Sequence, residues 1–148
     1  MKFLTRLFAN GLVCSVVWAG AVMAGTTGSN DPVKVVYHFD GGFEQATKGL
    51  QNIKNHLDVD PTVRIVAVAH AKGVDFLLDG ATNKTGNPYN IPVEELAARG
   101  VEFRVCAITL RVRGIDPKQL LPEAKIVPSG VVEIARLQAK EGFVYLKP

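Results

Sequence analysis

The strongest constraint on this chain is a repeated change of hydrophobic period. Short β-branched runs alternate with segments whose apolar residues recur every three or four positions. Residues 33–39 are β-branched and aromatic and stop at Asp40-Gly41-Gly42. Phe43, Ala46, Leu50, Ile53 and Leu57 then mark one face of an amphipathic helix, which Asp60-Pro61 ends. Residues 62–69 read as a second, mostly buried strand, closed by His70. A short helical segment at 74–78 leads to a polar loop at 81–90. A helix at 92–99 follows, with Pro92 in its first turn and Gly100 at its C-terminal cap.

The second half keeps the alternation. Residues 101–106 form a third strand ending at Cys106, and 107–113 form a short helix stopped by Gly114. Asp116 caps one helical turn with Pro117 at its first position. Residues 125–127 are a fourth strand, Ser129 caps a helix through Lys140, and 143–146 are the last strand. Apolar strands separated by helices imply an α/β fold with a parallel sheet covered on both faces. Right-handed crossovers then bring the strand C-termini to one edge, where such sheets bind ligands.

Residues 1–24 have the three parts of a secretory signal peptide. Lys2 and Arg6 give a positive start, an apolar run extends from Leu7 to Val22, and Val22-Met23-Ala24 ends in residues suited to cleavage. Ala19-Gly20-Ala21 offers a second cut, after Ala21. The run is short and interrupted for a membrane span, which needs about 20 apolar residues. A retained N-terminal anchor is the alternative reading. Cys14 lies inside the apolar run behind bulky Val13, a poor context for lipidation. The expectation is a periplasmic or secreted protein without a stable membrane anchor. A flexible linker at 25–32, rich in Gly, Thr and Ser, precedes one domain at 33–148. Lys2 and Arg6 leave with the signal and no acidic residue does, so the net charge falls from +3 to +1. No basic run interleaved with aromatics remains, which argues against nucleic acid as a partner.

Loss of Cys14 leaves Cys106 without a partner in its own chain. A lone exported cysteine is a reactive or modified thiol, an intermolecular disulfide, or a small buried hydrophobe. Its place at a strand-to-helix junction favours thiolate, the nucleophilic form. His38, His70 and Cys106 all fall near the C-terminal ends of strands. If those strands are neighbours, an imidazole can take the thiol proton or stabilise the thiolate. His70 is the better placed of the two, with backbone capping as its other use. His38 has a second reading as a strand residue facing a helix layer. Arg113, seven residues after Cys106, supplies positive potential for an anionic substrate, whereas Arg111 reads as solvent-facing. Asp40 opens a tight turn with anion binding as its second use. No Cys-x-x-Cys or His-x-x-x-His spacing is present, so no metal is expected from one chain. No Gly-x-Gly-x-x-Gly, Walker lysine or cysteine-protease signature appears, and no cofactor is expected.

Leu96-Ala97-Ala98-Arg99-Gly100-Val101-Glu102-Phe103-Arg104-Val105-Cys106, followed by Arg113-Gly114-Ile115, resembles the DsrE/DsrF-like proteins. The resemblance spans residues 33–146 and includes the late Pro128-Ser129-Gly130-Val131 helix start. It implies a three-layer α/β/α fold with five parallel strands, and homo-oligomers, often trimers or hexamers. It also implies a sulfur-relay role in which Cys106 carries sulfane sulfur as a persulfide and trades it with thiol-bearing donor or acceptor proteins. Whether this amounts to a sulfurtransferase-like enzyme is left open by the residues. Exposed apolar candidates around Ile108 and Leu110 fit an oligomer. The chain departs from cytoplasmic members in its expected export, because their dedicated partners should be absent outside the cytoplasm. The competing expectation is a non-catalytic oligomeric binding module with a ligand in the edge cleft.

N-terminal sequencing of the exported protein is expected to begin at Gly25. Intact Met1 recovered in a membrane fraction would defeat the signal-peptide assignment.

Overall fold

The computed structural model describes residues 31–148; the expected signal peptide and most of the linker lie outside the described residues. Strand β1 (Lys34–Phe39) leads into helix α1 (Phe43–Val59) and strand β2 (Arg64–Ala69). A 3₁₀ segment (Ala71–Leu77) and helix α2 (Asn90–Ala98) precede strand β3 (Glu102–Cys106). Helix α3 (Ala107–Arg113), a 3₁₀ turn (Pro117–Gln119), strand β4 (Ala124–Val127), helix α4 (Gly130–Glu141) and strand β5 (Val144–Leu146) complete the order.

All five strands are parallel, in the order β4-β3-β2-β1-β5. The chain runs outward from β1 to β4, and α4 then carries it back to β5 on the far side of β1. Side-chain alternation divides the core in two. Val35, Tyr37, Phe39, Ile65, Ala67, Ala69, Phe103 and Val105 face α1, the first 3₁₀ segment and α2. Val36, Val66 and Val68 face Ile134 and Leu137 of α4, with Phe143 beside them. The architecture is therefore α/β/α in three layers. No helix among the described residues is long and apolar enough to cross a membrane.

Local chemistry sets the boundaries. The buried stripe of α1 includes Ala46, Leu50, Ile53 and Leu57, as the spacing requires. Gly114, at φ 64°, ends α3 in the left-handed conformation that costs a Cβ-bearing residue most. Asp116 and Gln119 form a reciprocal capping box around Pro117. The Ser129 side chain accepts from the Val132 N–H and starts α4. Glu133 then anchors α4 to the sheet. It pairs with Arg104 of β3 and with Arg136, while Arg104 also reaches Glu102 at 2.7 Å. Both Arg104 and Glu133 are largely buried, so removing either leaves the other with a single remaining partner, Glu102 or Arg136.

Three local expectations shift. His70 follows β2 rather than closing it: its N–H still donates to the Phe39 carbonyl at 2.9 Å, but the chain turns at Ala71, where φ is +50°. Helix α2 starts two residues before Pro92. A proline in the first turn removes only an N–H that has no helical partner. Leu110 is buried in the main core, whereas Ile108 is 43 % exposed, so only the second fits an exterior contact.

Gly73 sets how closely the turn after β2 approaches β1. A Cβ at this position would lie 2.2 Å from the Phe39 carbonyl oxygen. That oxygen belongs to backbone and cannot rotate away. Gly73→Ala is expected to lower stability by about 1–3 kcal/mol, the usual range for overpacking. Urea unfolding with an unchanged slope checks it; an unchanged midpoint would show that the turn yields freely.

Candidate functional site

The parallel register aligns the site. Phe39 of β1 pairs with Ala69 of β2, and Ala69 pairs with Val105 of β3. The next residue on each strand is Asp40, His70 and Cys106. By alternation, His38, His70 and Cys106 all belong to the α4 face of the sheet.

Cys106 is the last residue of β3 and the residue before α3, and it is only 5 % exposed. Burial pushes its thiol up, but four donors outweigh burial and hold it below the ordinary cysteine value. They are the N–H groups of Gly130, Thr109 and Ile108 and the hydroxyl of Thr109. The first turn of α3 thus faces the sulfur without closing a side-chain cap, and the first residue of α4 adds an N–H from the other side. Gly130 makes this approach feasible. A Cβ there would lie 3.2 Å from the Cβ atoms of both Cys106 and His70.

A clasp holds the neighbouring turn. Ala71 has a left-handed backbone that costs roughly 1–2 kcal/mol for a residue with a Cβ. Its N–H donates to the Thr109 hydroxyl at 3.0 Å, and its carbonyl accepts from Arg113 Nη1 at 2.8 Å. Thr109 Oγ1 therefore accepts from Ala71 and keeps its own proton for the sulfur. Arg113 also pairs with Asp75 at 2.6 Å. Its charge is balanced by that carboxylate, and its observed contacts position the turn that carries His70.

The histidines form a second group beside the sulfur. His38 Nε2 and His70 Nε2 are 2.6 Å apart, and their rings stack with centroids 4.8 Å apart. His38 Nδ1 lies 2.6 Å from the Tyr145 hydroxyl on β5. Desolvation lowers the His38 pKa, and the charge of His70 lowers it further, while Asp40 opposes both. Asp40 accepts from Lys147 Nζ at 2.7 Å and from Gln45 Nε2 at 3.3 Å. The Lys147 contact is the main reason its carboxyl stays below the usual value. Ligating atoms of His38, Asp40 and His70 lie within 4.8 Å of one another.

The structure thus brings Cys106, His70, His38 and Asp40 to one edge and shows Arg113 bonded to the turn behind them. His70 stands across Gly130 from Cys106, with its Nε2 turned to His38. Sequence reasoning missed Thr109, Gly130, Gln45, Tyr145 and Lys147. Thr109 carried a usable signal, because it lies three residues after the junction cysteine, where a helix's first free N–H groups point back. Gly130 was visible only as part of the α4 start, Gln45 lies five residues from Asp40 without a motif, and Tyr145 and Lys147 come from the far end of the chain.

A parallel α/β/α sheet with one cysteine at the C-terminal end of a central strand defines the class of protein. Residues 29–148 match the DsrE/DsrF-like family, and the chain belongs to it. Among solved structures, it is similar to a protein of unknown function, MTH1491, from Methanobacterium thermoautotrophicum. That match has 33 % identity and a TM-score of 0.69, covering 78 % of this chain and 99 % of the other. The ychN protein from E. coli matches at 19 % identity and a TM-score of 0.67, with the same two coverages, and supports the fold alone. No curated protein matches the chain.

The pH dependence of iodoacetamide labelling at Cys106, read by peptide mass spectrometry, is expected to have its midpoint below about 8.5, the free-cysteine value. A depressed pKa means that thiolate persists to lower pH. Thr109→Val removes a hydroxyl donor and should raise the midpoint, by more than His70→Ala does. A midpoint at the free value in the parent, or one insensitive to Thr109→Val, would defeat this account.

Proposed function

We propose that this protein is a sulfur carrier that holds sulfane sulfur as a persulfide on Cys106. Family membership points to a sulfur-relay role, and the donor-lined sulfur is the observation that carries the finer reading. N–H and O–H groups that favour the thiolate keep Cys106 in the nucleophilic form that sulfur uptake requires. The Cys106 thiolate attacks the outer sulfur of a donor persulfide. The new S–S bond forms as the donor's S–S bond breaks, and the bonding pair leaves with the donor thiolate. A second thiolate then attacks the outer sulfur on Cys106 and returns Cys106 to thiolate. No net oxidant is needed.

The partners proposed for this cycle are thiol-bearing donor and acceptor proteins in the periplasm or outside the cell. His70, across Gly130, is proposed to steer an anionic donor toward the sulfur. Homo-oligomer formation is part of the same reading. Ile108 and Val112 on α3, Ile126 on β4, and Val131 and Val132 on α4 are exposed apolar side chains flanking the cysteine end of the sheet. The alternative of a binding module finds a well-formed groove elsewhere. About 390 Å³ of space lies between α1 and α2, lined by Thr47, Leu50, Tyr89, Ile91 and Leu96.

Treatment with polysulfide, followed by mass spectrometry, is expected to add the mass of one sulfur atom at Cys106. A thiol acceptor should remove it, and prior alkylation should block it. Light scattering should give a multiple of the chain mass. No added sulfur at a Cys106 that alkylates readily would end the carrier reading and leave the binding module.

A further inference from the structure

We propose that His38, His70 and Asp40 form a binding site for a divalent transition-metal ion of the zinc type. The site shares His70 with the proposed sulfur site but takes no donor from Cys106. Its three donors come from the end of β1, the turn after β1 and the turn after β2. No local spacing could disclose them, because strand register rather than a helix face brings them together.

The imidazole pair carries the inference. Two ring nitrogens 2.6 Å apart converge on one another, an arrangement satisfied by an N–H hydrogen shared between them or, with slight opening, by a metal ion that both ligate. Tetrahedral zinc, with Zn–N of roughly 2.0–2.1 Å, separates two nitrogens by about 3.3 Å, so the rings need to open by less than about 1 Å. The carboxylate of Asp40 adds the negative charge that a divalent ion uses and a shared proton does not need. Two imidazoles select a zinc-type ion over magnesium or calcium, which prefer oxygen.

The surroundings match what bound histidines require. With its Nδ1–H donating to the Tyr145 hydroxyl, His38 presents the Nε2 lone pair inward, the orienting contact that ligating histidines use. Gln45 holds the Asp40 turn, accepting from the N–H groups of Asp40 and Gly41 at 3.0 and 2.6 Å. All three donor residues are half-buried, which leaves an entry path. The site lies beside the β1–β5 boundary, where the strand order reverses and open α/β sheets bind ligands. Three protein donors leave a fourth position for water or substrate, as in catalytic zinc sites. Lys147 is the built-in competitor, since Asp40 must turn from its ammonium group to reach the ion.

The test is titration of the whole chain with Zn²⁺ by calorimetry, and with Co²⁺ by visible absorption. One ion per chain is expected, with tetrahedral Co²⁺ bands and no thiolate-to-cobalt band. Binding should survive Cys106→Ser and His56→Gln, the latter altering the one histidine outside the cluster. His38→Gln and His70→Gln should each weaken it by more than the roughly 10–100-fold typical of an outer-shell partner, and Tyr145→Phe should fall within that range. Lys147→Ala should tighten it. Circular dichroism on every variant separates a lost site from a lost fold, and the two histidine variants sit on different segments. Failure of the parent to bind Zn²⁺, binding that disappears in Cys106→Ser, or full affinity in either folded histidine variant overturns the proposal. Unchanged affinity in both Asp40→Asn and Lys147→Ala overturns the three-donor site. The sulfur reading is unaffected by these results, because its mass shift is measured at Cys106.

Discussion

The site depends on the register of three parallel strands. Phe39, Ala69 and Val105 sit side by side, so the next residues emerge together at the sheet edge. Strand geometry makes this arrangement unforgiving. A slip of one residue in β3 would send Cys106 to the opposite face, beneath the main core, and bring Val105 to the α4 side. The apolar residues of both faces oppose such a slip. Phe103 and Val105 fill the α1 side, while Arg104 meets Glu133 on the α4 side. Core packing and a buried ion pair therefore enforce the same register from opposite faces.

Cys106 also illustrates why burial and reactivity need not conflict. A cysteine this buried in purely apolar surroundings would be an inert thiol with a raised pKa. Here the buried surroundings contain peptide N–H groups from two helix starts and one hydroxyl. Those donors are fixed by α3, by α4 and by the Ala71 clasp, so they need little rearrangement when charge appears on sulfur. The strain at Ala71 belongs to this design. The turn is held at both ends of one peptide-bearing residue, by Thr109 and Arg113, and the same threonine faces the sulfur.

Most of the architecture was legible in the sequence, because alternating strand and helix periods leave few foldings for apolar strands. Gly114, Asp116, Pro117 and Ser129 act locally and carried their own boundary signals. His70 and Leu110 show the limit of that reading. Whether His70 ends a strand or follows it depends on a left-handed Ala71 stabilised from α3, thirty-eight residues away in the chain. Leu110 is on a helix too short to reveal which side it buries. At the site, Cys106 was legible from its junction, and His38, His70 and Asp40 from their places at strand ends. Their pairing was not, because β5 supplies Tyr145 and Lys147 from the far end of the chain. Arg113 read as a source of positive potential; the fold adds that it pairs with Asp75 and donates to the Ala71 carbonyl, contacts no local signal disclosed.

Gly130 is where the two halves of the site meet. Helix α4 starts there, directs one N–H at Cys106 and passes within a methyl's width of His70. The helix is held further along by Glu133, three residues on, through its contacts with Arg104 and Arg136. A helix is stiff over such a distance, so displacement of Glu133 would be felt at Gly130 as a change in the gap between sulfur and imidazole. The ion pair under α4 thus sets a distance at the site although none of its members touches the sulfur. A side chain at position 130 would act on that same distance directly, which explains in steric terms why the helix begins on the smallest residue.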